Sequence, residues 1–463
     1  MRPPGAILLV SCYELGHQPL NLASPLALLL QAGYAPVAID TAVEALDDET
    51  IRRARLVCIS VPMHAALRLA MRVAERVRAL NPSARLCCYG LYASLNADYL
   101  HEQGIDFVIG GEYEQALLGL AQALEQGGAT AVPGVGTHSQ PAAPILSRLP
   151  FVQPERQQLL PLQRYARLQQ GDMLAVVGYA ETSRGCLHTC LHCPITPVYQ
   201  GRFFIIPKEI VLQDIRAQVQ MGAQHITFGD PDFLNGPGHA LKILRAIRAE
   251  FPTLTFDATI KIEHILEHRA LFSEFRELGC AFIVSAVESV SDHVLTQLDK
   301  GHTRADVIAA LRILDDAGIP MRPSLLPFTP WTTLADYLDL LNFVEQHDLI
   351  DQIDPVHYSI RLLLPPGSAL LVSPAMRPHL GDLDAASFSY QWTHPDSRVD
   401  QLQREVAALV AANERTHASP EETFYAIKAL TEESSGLALN AARSTRQPGA
   451  RRVTPHLTES WFC

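Results

Sequence analysis

Glu181-Thr-Ser-Arg184-Gly-Cys186-Leu-His188-Thr-Cys190-Leu-His192-Cys193-Pro-Ile-Thr-Pro197 holds three cysteines, with three and then two residues between them. An apolar run over 173–180 precedes it and predicts a strand, so the cysteines fall in the loop that follows. Three thiolates on one short loop can hold three corners of a metal cluster. Structural zinc takes four protein ligands, usually as two pairs, and no second cysteine pair follows here. A zinc knuckle would need His188 or His192 as its fourth ligand. A cubane iron–sulfur cluster also takes four ligands. With three from the protein, one iron stays open to a small molecule.

The rest of the chain bounds the class. Its 463 residues are enough for two or three domains with cores of their own. Hydrophobic residues make up 48% and charged residues 19%, an ordinary globular balance. No run of eighteen apolar residues occurs, which argues against a membrane span or a membrane partner. The first ten residues, Met1 to Val10, are basic and then briefly apolar, too short for a signal peptide, and read as a first strand. The net charge of −12 argues against nucleic acid as a partner. Nine cysteines, odd in number and unevenly spread, suit a reducing cytoplasm better than a disulfide scaffold.

Residues 1–125 alternate strand and helix. Strands are expected at 6–11, 36–40, 56–61, 85–89 and 107–110, with helices at 20–31, 65–80 and 113–124. This alternation predicts an α/β, doubly wound, Rossmann-like parallel sheet whose ligand edge lies at the carboxyl ends of its strands. Residues 12–17, 62–64 and 90–92 occupy that edge. Cys58, Cys87, Cys88 and Cys280, in apolar strand runs, read as small core hydrophobes. Residues 126–165, rich in Gly and Pro, form a linker that wraps between domains. From 166 to 384 the alternation returns. Strands are expected at 173–181, 225–229, 254–260, 281–287, 320–326 and 355–362, and helices at 207–221, 238–250, 264–278, 304–317 and 333–346. Six such βα units curl into a partial barrel, which places chemistry at the carboxyl ends of its strands. Residues 385–463 read as a mostly helical region, loose over 441–456, with a tail ending in Cys463.

The cysteine spacing, the strand–loop position and the missing fourth ligand resemble the radical S-adenosylmethionine (SAM) superfamily. Arg184-Gly-Cys before the loop and Cys193-Pro after it resemble its cobalamin-associated branch. The resemblance implies a [4Fe–4S] cluster on Cys186, Cys190 and Cys193, with SAM filling the open iron site. It further implies an electron donor such as flavodoxin or ferredoxin, and a cobalamin-binding-like N-terminal domain. The Asp-x-His-x-x-Gly cobalt-ligand motif of many such domains is absent, so cobalamin stays open; His17 is the nearest histidine, and a surface-loop role is the preferred reading for it and for His64.

The same resemblance assigns SAM contacts. His192 holds the place of an aromatic residue beside the adenine. Asp230, at the end of the second barrel strand, would accept from the SAM ammonium. Lys261 is a basic residue at the third strand's end. Glu288 and Ser289 follow the fourth strand and would touch the SAM ribose. Arg322 or Arg361 would hold the SAM carboxylate by a forked pair. A strand-end turn, a solvated strand end or a structural salt bridge is the alternative for Asp230, Lys261 and the two arginines. Lys300, in Asp299-Lys300-Gly301-His302-Thr303, is a site residue or a surface one. The aromatic stretch 389–394 is expected to pack in the core.

The ending Thr458-Glu-Ser-Trp-Phe-Cys463 resembles the tail of a radical SAM family named for a Cys-Cys (or Cys-selenocysteine)-Ala-Glu-Pro motif, of which only the first cysteine is present. That family includes the enzyme of arsinothricin biosynthesis. It implies transfer of the 3-amino-3-carboxypropyl group of SAM to trivalent arsenic, with Cys463 catalytic as a soft ligand and arsenite as the small-molecule substrate. A cobalamin-dependent methyltransferase acting on a natural-product carbon is the rival enzyme, and a non-catalytic zinc protein the rival of another class.

Overall fold

The computed structural model describes residues 1–128, 132–147, 150–436 and 454–459. Two parallel sheets dominate it. The first contains β1 (Ile7–Ser11), β2 (Val37–Asp40), β3 (Leu56–Ser60), β4 (Arg85–Tyr89), β5 (Phe107–Ile109) and β6 (Val135–Gly136), in the order β2-β1-β3-β4-β5-β6. β1 to β5 are parallel and β6 is antiparallel to β5. The central strands are buried on both faces, as apolar runs such as Leu-Val-Cys-Ile-Ser in β3 require. Helices Leu20–Gln31 and Glu114–Glu125 cover one face, and Asp48–Arg53 and His64–Leu80 the other. Cys58, Cys87, Cys88 and Cys280 are all buried among apolar neighbours. The switch in strand order falls between β1 and β3, where such folds hold ligands.

The second sheet begins with β7 (Arg167–Gln170) and β8 (Met173–Ala180). A small antiparallel pair follows, β9 (Ser183–Gly185) with β10 (Phe203–Ile205). Then come β11 (His225–Phe228), β12 (Thr255–Thr259), β13 (Cys280–Glu288) and β14 (Met321–Leu325). β8, β11, β12, β13 and β14 are parallel neighbours in that order, and β7 is antiparallel to β8. Helices such as Lys208–Gln220, Pro237–Glu250, Arg304–Asp316 and Leu334–Gln346 pack on the outer face. Thr303 with Asp306 and Thr333 with Asp336 start two of them as reciprocal capping boxes.

Three expectations need correction. The run 355–362 does not form a sixth barrel strand; Pro355–Ser359 is a 3-10 turn, and only Arg361 bridges to Phe328. Proline lacks the N–H that a ladder position needs. The predicted helix 264–278 is two short helices, Ile262–Glu267 and Phe272–Glu277. The region after the barrel opens with a hairpin, β15 (Leu380–Asp384) and β16 (Ser389–Trp392), before helices Ser397–Thr416 and Pro420–Ser435. The chain then returns as β17 (His456–Leu457), antiparallel to β7 at the edge of the second sheet.

One residue of the described part of 126–165 reaches both neighbouring regions. Arg156 makes a fully buried two-pronged pair with Asp214 and donates to the carbonyls of Gln18 and Tyr179. It thereby joins the first domain, the linker and the barrel. Among the described residues no helix is long and apolar enough to cross a membrane.

Candidate active site

The cysteine loop is an excursion clamped at its base by β9 and β10. Gly185 ends β9 at φ +76, and a Cβ there would lie 2.4 Å from the Arg202 carbonyl oxygen, so only glycine fits. Within the loop Leu187 N donates to Asn235 Oδ1 (3.2 Å), Leu191 N to the Leu298 carbonyl (3.0 Å) and Thr196 Oγ1 to the Cys190 carbonyl (2.9 Å). Arg184 braces it against the N-terminal domain. Its guanidinium donates to Glu181 (2.9 Å), Glu112 (3.2 Å) and Glu114 (2.5 Å), and Tyr199 OH donates to Glu112 (3.0 Å).

Asp230 is completely enclosed. It accepts from Thr182 N (2.8 Å), Thr182 Oγ1 (2.7 Å) and Ser183 Oγ (2.6 Å). Burial nevertheless pushes its pKa up to about 6. These bonds hold the approach to the cysteine loop.

The end of β13 carries the charged centre. Register slips between Ala286 and Glu288, and Glu288 sits at φ +62, a left-handed backbone that is costly for a non-glycine residue. Its carboxylate lies 3.3 Å from His192 Nε2 and 3.2 Å from Lys300 Nζ. Burial alone would raise the Glu288 pKa, but Lys300 and His192 outweigh it and hold the group far below the usual carboxylate range. Burial likewise works against the Lys300 charge, and Glu288, then Cys190, restore it. Glu288, His192 and Lys300 therefore form one buried set beside the cysteines. Ser289 caps the following turn, its Oγ accepting from Ser291 N at 3.1 Å.

The remaining candidates separate. Lys261 is buried at the start of helix Ile262–Glu267, 3.3 Å from His188 Nδ1 and ion-paired with Glu263. Arg322 is paired with Asp354 at 2.8 Å, its guanidinium 6.0 Å from the Phe282 ring. Arg361 bonds Asp400 (2.6 Å) and the Trp392 carbonyl (2.7 Å) and stacks 3.4 Å over the Trp392 ring. Both arginines make pairs within the protein, with Asp354 and with Asp400. Trp392 is buried with Leu362 and Leu364, as core packing requires. Cys463 lies outside the described residues.

Residues 180–344 match the radical SAM superfamily. The chain carries a radical SAM domain. It is 23% identical over 253 residues to an uncharacterized methyltransferase of Pyrococcus horikoshii, covering 53% of this chain and 54% of that one; the match spans about half the length of that relative. Among solved structures it resembles the cobalamin-dependent S-adenosylmethionine radical enzyme OxsB, with a TM-score of 0.71 and 15% identity, covering 92% of this chain and 71% of that one. It also resembles the radical SAM methyltransferase TsrM of Kitasatospora setae, with a TM-score of 0.59 and 18% identity, covering 75% and 71%. The α/β architecture with its curled sheet is shared with both, at identities that establish fold alone.

A radical SAM domain implies a [4Fe–4S] cluster and SAM, and the residues fit. Burial pushes the Cys186 thiol up to about 12 and the Cys193 thiol up to about 11; a metal deprotonates such thiols outright. Lys300 supplies the nearby positive charge.

The N-terminal edge carries buried polar atoms of its own. At the switch point the hydroxyls of Ser11 and Ser60 and Oε1 of Glu14 are buried without hydrogen-bond partners, acceptors and donors that a nucleotide tail could use. His17 is not on the surface: it is buried with its ring 4.8 Å from that of Tyr179, and burial lowers its pKa to about 4. His64 is bonded to the Ser387 carbonyl and lies beside Tyr92 and Phe388. His17 thus packs on Tyr179, and His64 is held by the Ser387 carbonyl.

Proposed function

We propose that this protein is a radical SAM transferase that cleaves SAM reductively at the mouth of its partial barrel. The observation that carries this reading is the pairing of a three-cysteine loop with the buried Glu288–His192–Lys300 set. When bound, the cluster supplies the electron that breaks a carbon–sulfur bond of SAM. Cys186, Cys190 and Cys193 would hold it. Glu288, kept ionised by Lys300, would accept from the ribose hydroxyls, and His192 would flank the nucleoside. Asp230 and Arg184 fix the loop from either side. An external one-electron donor of the flavodoxin or ferredoxin kind would supply the electron.

For the group transferred, the likeness to OxsB and TsrM, together with the unpartnered hydroxyls at the first sheet's switch point, favours a corrinoid-assisted methyl transfer to a carbon substrate. The second reading is aminocarboxypropyl transfer to arsenite. It rests on the tail sequence and Cys463. Anaerobically reconstituted protein incubated with SAM, reductant and arsenite separates them. Methylthioadenosine with an arsenic adduct supports the second reading. Retained corrinoid with 5′-deoxyadenosine or S-adenosylhomocysteine, and no arsenic product, supports the first. No SAM turnover with a fully loaded cluster defeats both.

A further inference from the structure

Beside the cysteine loop, three side chains from three different elements converge on one point. His188, between Cys186 and Cys190, places Nε2 3.2 Å from Asp232 Oδ2. His264, on helix Ile262–Glu267, places Nδ1 2.8 Å from the same oxygen. The three ligand atoms all lie within 4.8 Å of one another. Each of the three atoms is buried, and they meet one another at ion-pair distance. Asp232 is only 1% exposed. Two imidazole nitrogens facing one carboxylate oxygen gather three potential ligand atoms around one point. One cation at their centre would satisfy all of them.

The surroundings are those of a ligand set. Asp232 follows β11, and its other oxygen accepts from Leu234 N at 3.1 Å, which fixes the carboxylate. Glu263 Oε2 stands 3.7 Å from His188 Nδ1, where a ligating histidine commonly finds a carboxylate for its second ring nitrogen. Lys261, near the same nitrogen, is neutralised by Glu263. Two imidazoles and a carboxylate suit first-row divalent ions. Three protein ligands leave coordination positions open, unlike a closed structural site.

We infer that His188, Asp232 and His264 form a binding site for one divalent transition-metal ion, zinc or ferrous iron, distinct from the cluster held by the cysteines. An ion there ties the cysteine loop to the end of β11 and to helix Ile262–Glu267. No cysteine is among its ligands, so the site stands or falls independently of the SAM chemistry.

The test is titration of full-length protein, purified without oxygen and with iron and sulfide counted, with Co²⁺ alone. One equivalent should bind, giving a d–d absorption band of nitrogen and oxygen ligation that Zn²⁺ displaces. His264→Ala and Asp232→Asn should abolish the band. Glu263→Gln should weaken binding about tenfold, as loss of an outer-sphere partner does. The triple Cys186→Ser, Cys190→Ser, Cys193→Ser variant should keep the band. His264→Gln, with native circular dichroism, stands in if the alanine variant does not fold. No band in the wild type overturns the inference. So does a band that survives both His264 and Asp232 replacement, or one lost with the cysteines. Weakened SAM binding by Asp232→Asn, with no cobalt bound by the wild type, would assign the cluster to the SAM ammonium instead and equally overturn it.

Discussion

Two buried glutamates stand at the ligand edges of the two sheets, and their surroundings drive them in opposite directions. Glu288, at the end of β13, has Lys300 and His192 within about 3.3 Å and is held far below the usual carboxylate range against the opposing effect of burial. Burial, and after it the nearby Asp40, push Glu14, just past β1, up to about 8. The barrel edge is thus built to keep charge in place, as a site for a charged cluster and a polyhydroxyl ligand must be. The N-terminal edge is built around neutral polar atoms, those of Ser11, Ser60 and Glu14 among them.

The largest contrast comes from the cysteines. Cys186→Ser should abolish cluster assembly and all SAM cleavage, read by iron and sulfide content and by product mass spectrometry. Replacing Cys88, buried in the N-terminal core, should leave both intact. Next is Glu288→Gln. It leaves the Lys300 charge buried without its partner, so a loss of about 3–5 kcal/mol in unfolding free energy is expected, together with weaker SAM binding by calorimetry.

The same change in the other edge should act with the opposite sign. The folded-state pKa of Glu14 is raised, so its contribution to stability is complete below its unfolded value near 4 and is lost as pH rises toward about 8. Glu14→Gln keeps the neutral form at every pH. It should therefore gain on the wild type across that window, by roughly 2–3 kcal/mol at pH 7. Urea melts at pH 5, 7 and 8 read this directly, and a flat difference would break the comparison. Smallest is Ser60→Ala. An unpartnered buried hydroxyl costs rather than contributes, so stability should hold or rise by about 1 kcal/mol. Corrinoid retention on a desalting column should fall if that edge holds a nucleotide tail.

Local signals made much of this legible. Apolar runs bounded by turn residues located the strands of both sheets, and the cysteine spacing located the centre of the site. Pairing between distant residues was not legible. β17 is two residues long and joins a strand nearly three hundred residues earlier, where Arg167 N donates to Thr458 Oγ1. The clamp of Arg184 on Glu112 and Glu114 crosses two domains, and the convergence of His188, Asp232 and His264 joins three elements. The partners of Arg322, Arg361 and Asp230 were hidden for a related reason. A charged residue at a strand end signals a need for a partner, but not whether Asp354, Asp400 or a nearby threonine supplies it. The run 355–362 read as a strand on hydropathy, and Pro355 denied it a ladder.

The central claim is that the three-cysteine loop holds a cluster with one iron open to SAM. Electron paramagnetic resonance of the reduced, anaerobically reconstituted protein tests it most directly. A reduced [4Fe–4S] signal that shifts when SAM is added, and disappears in Cys190→Ser, is the predicted result. Bound zinc with no iron or sulfide, or a cluster signal indifferent to SAM, would contradict it.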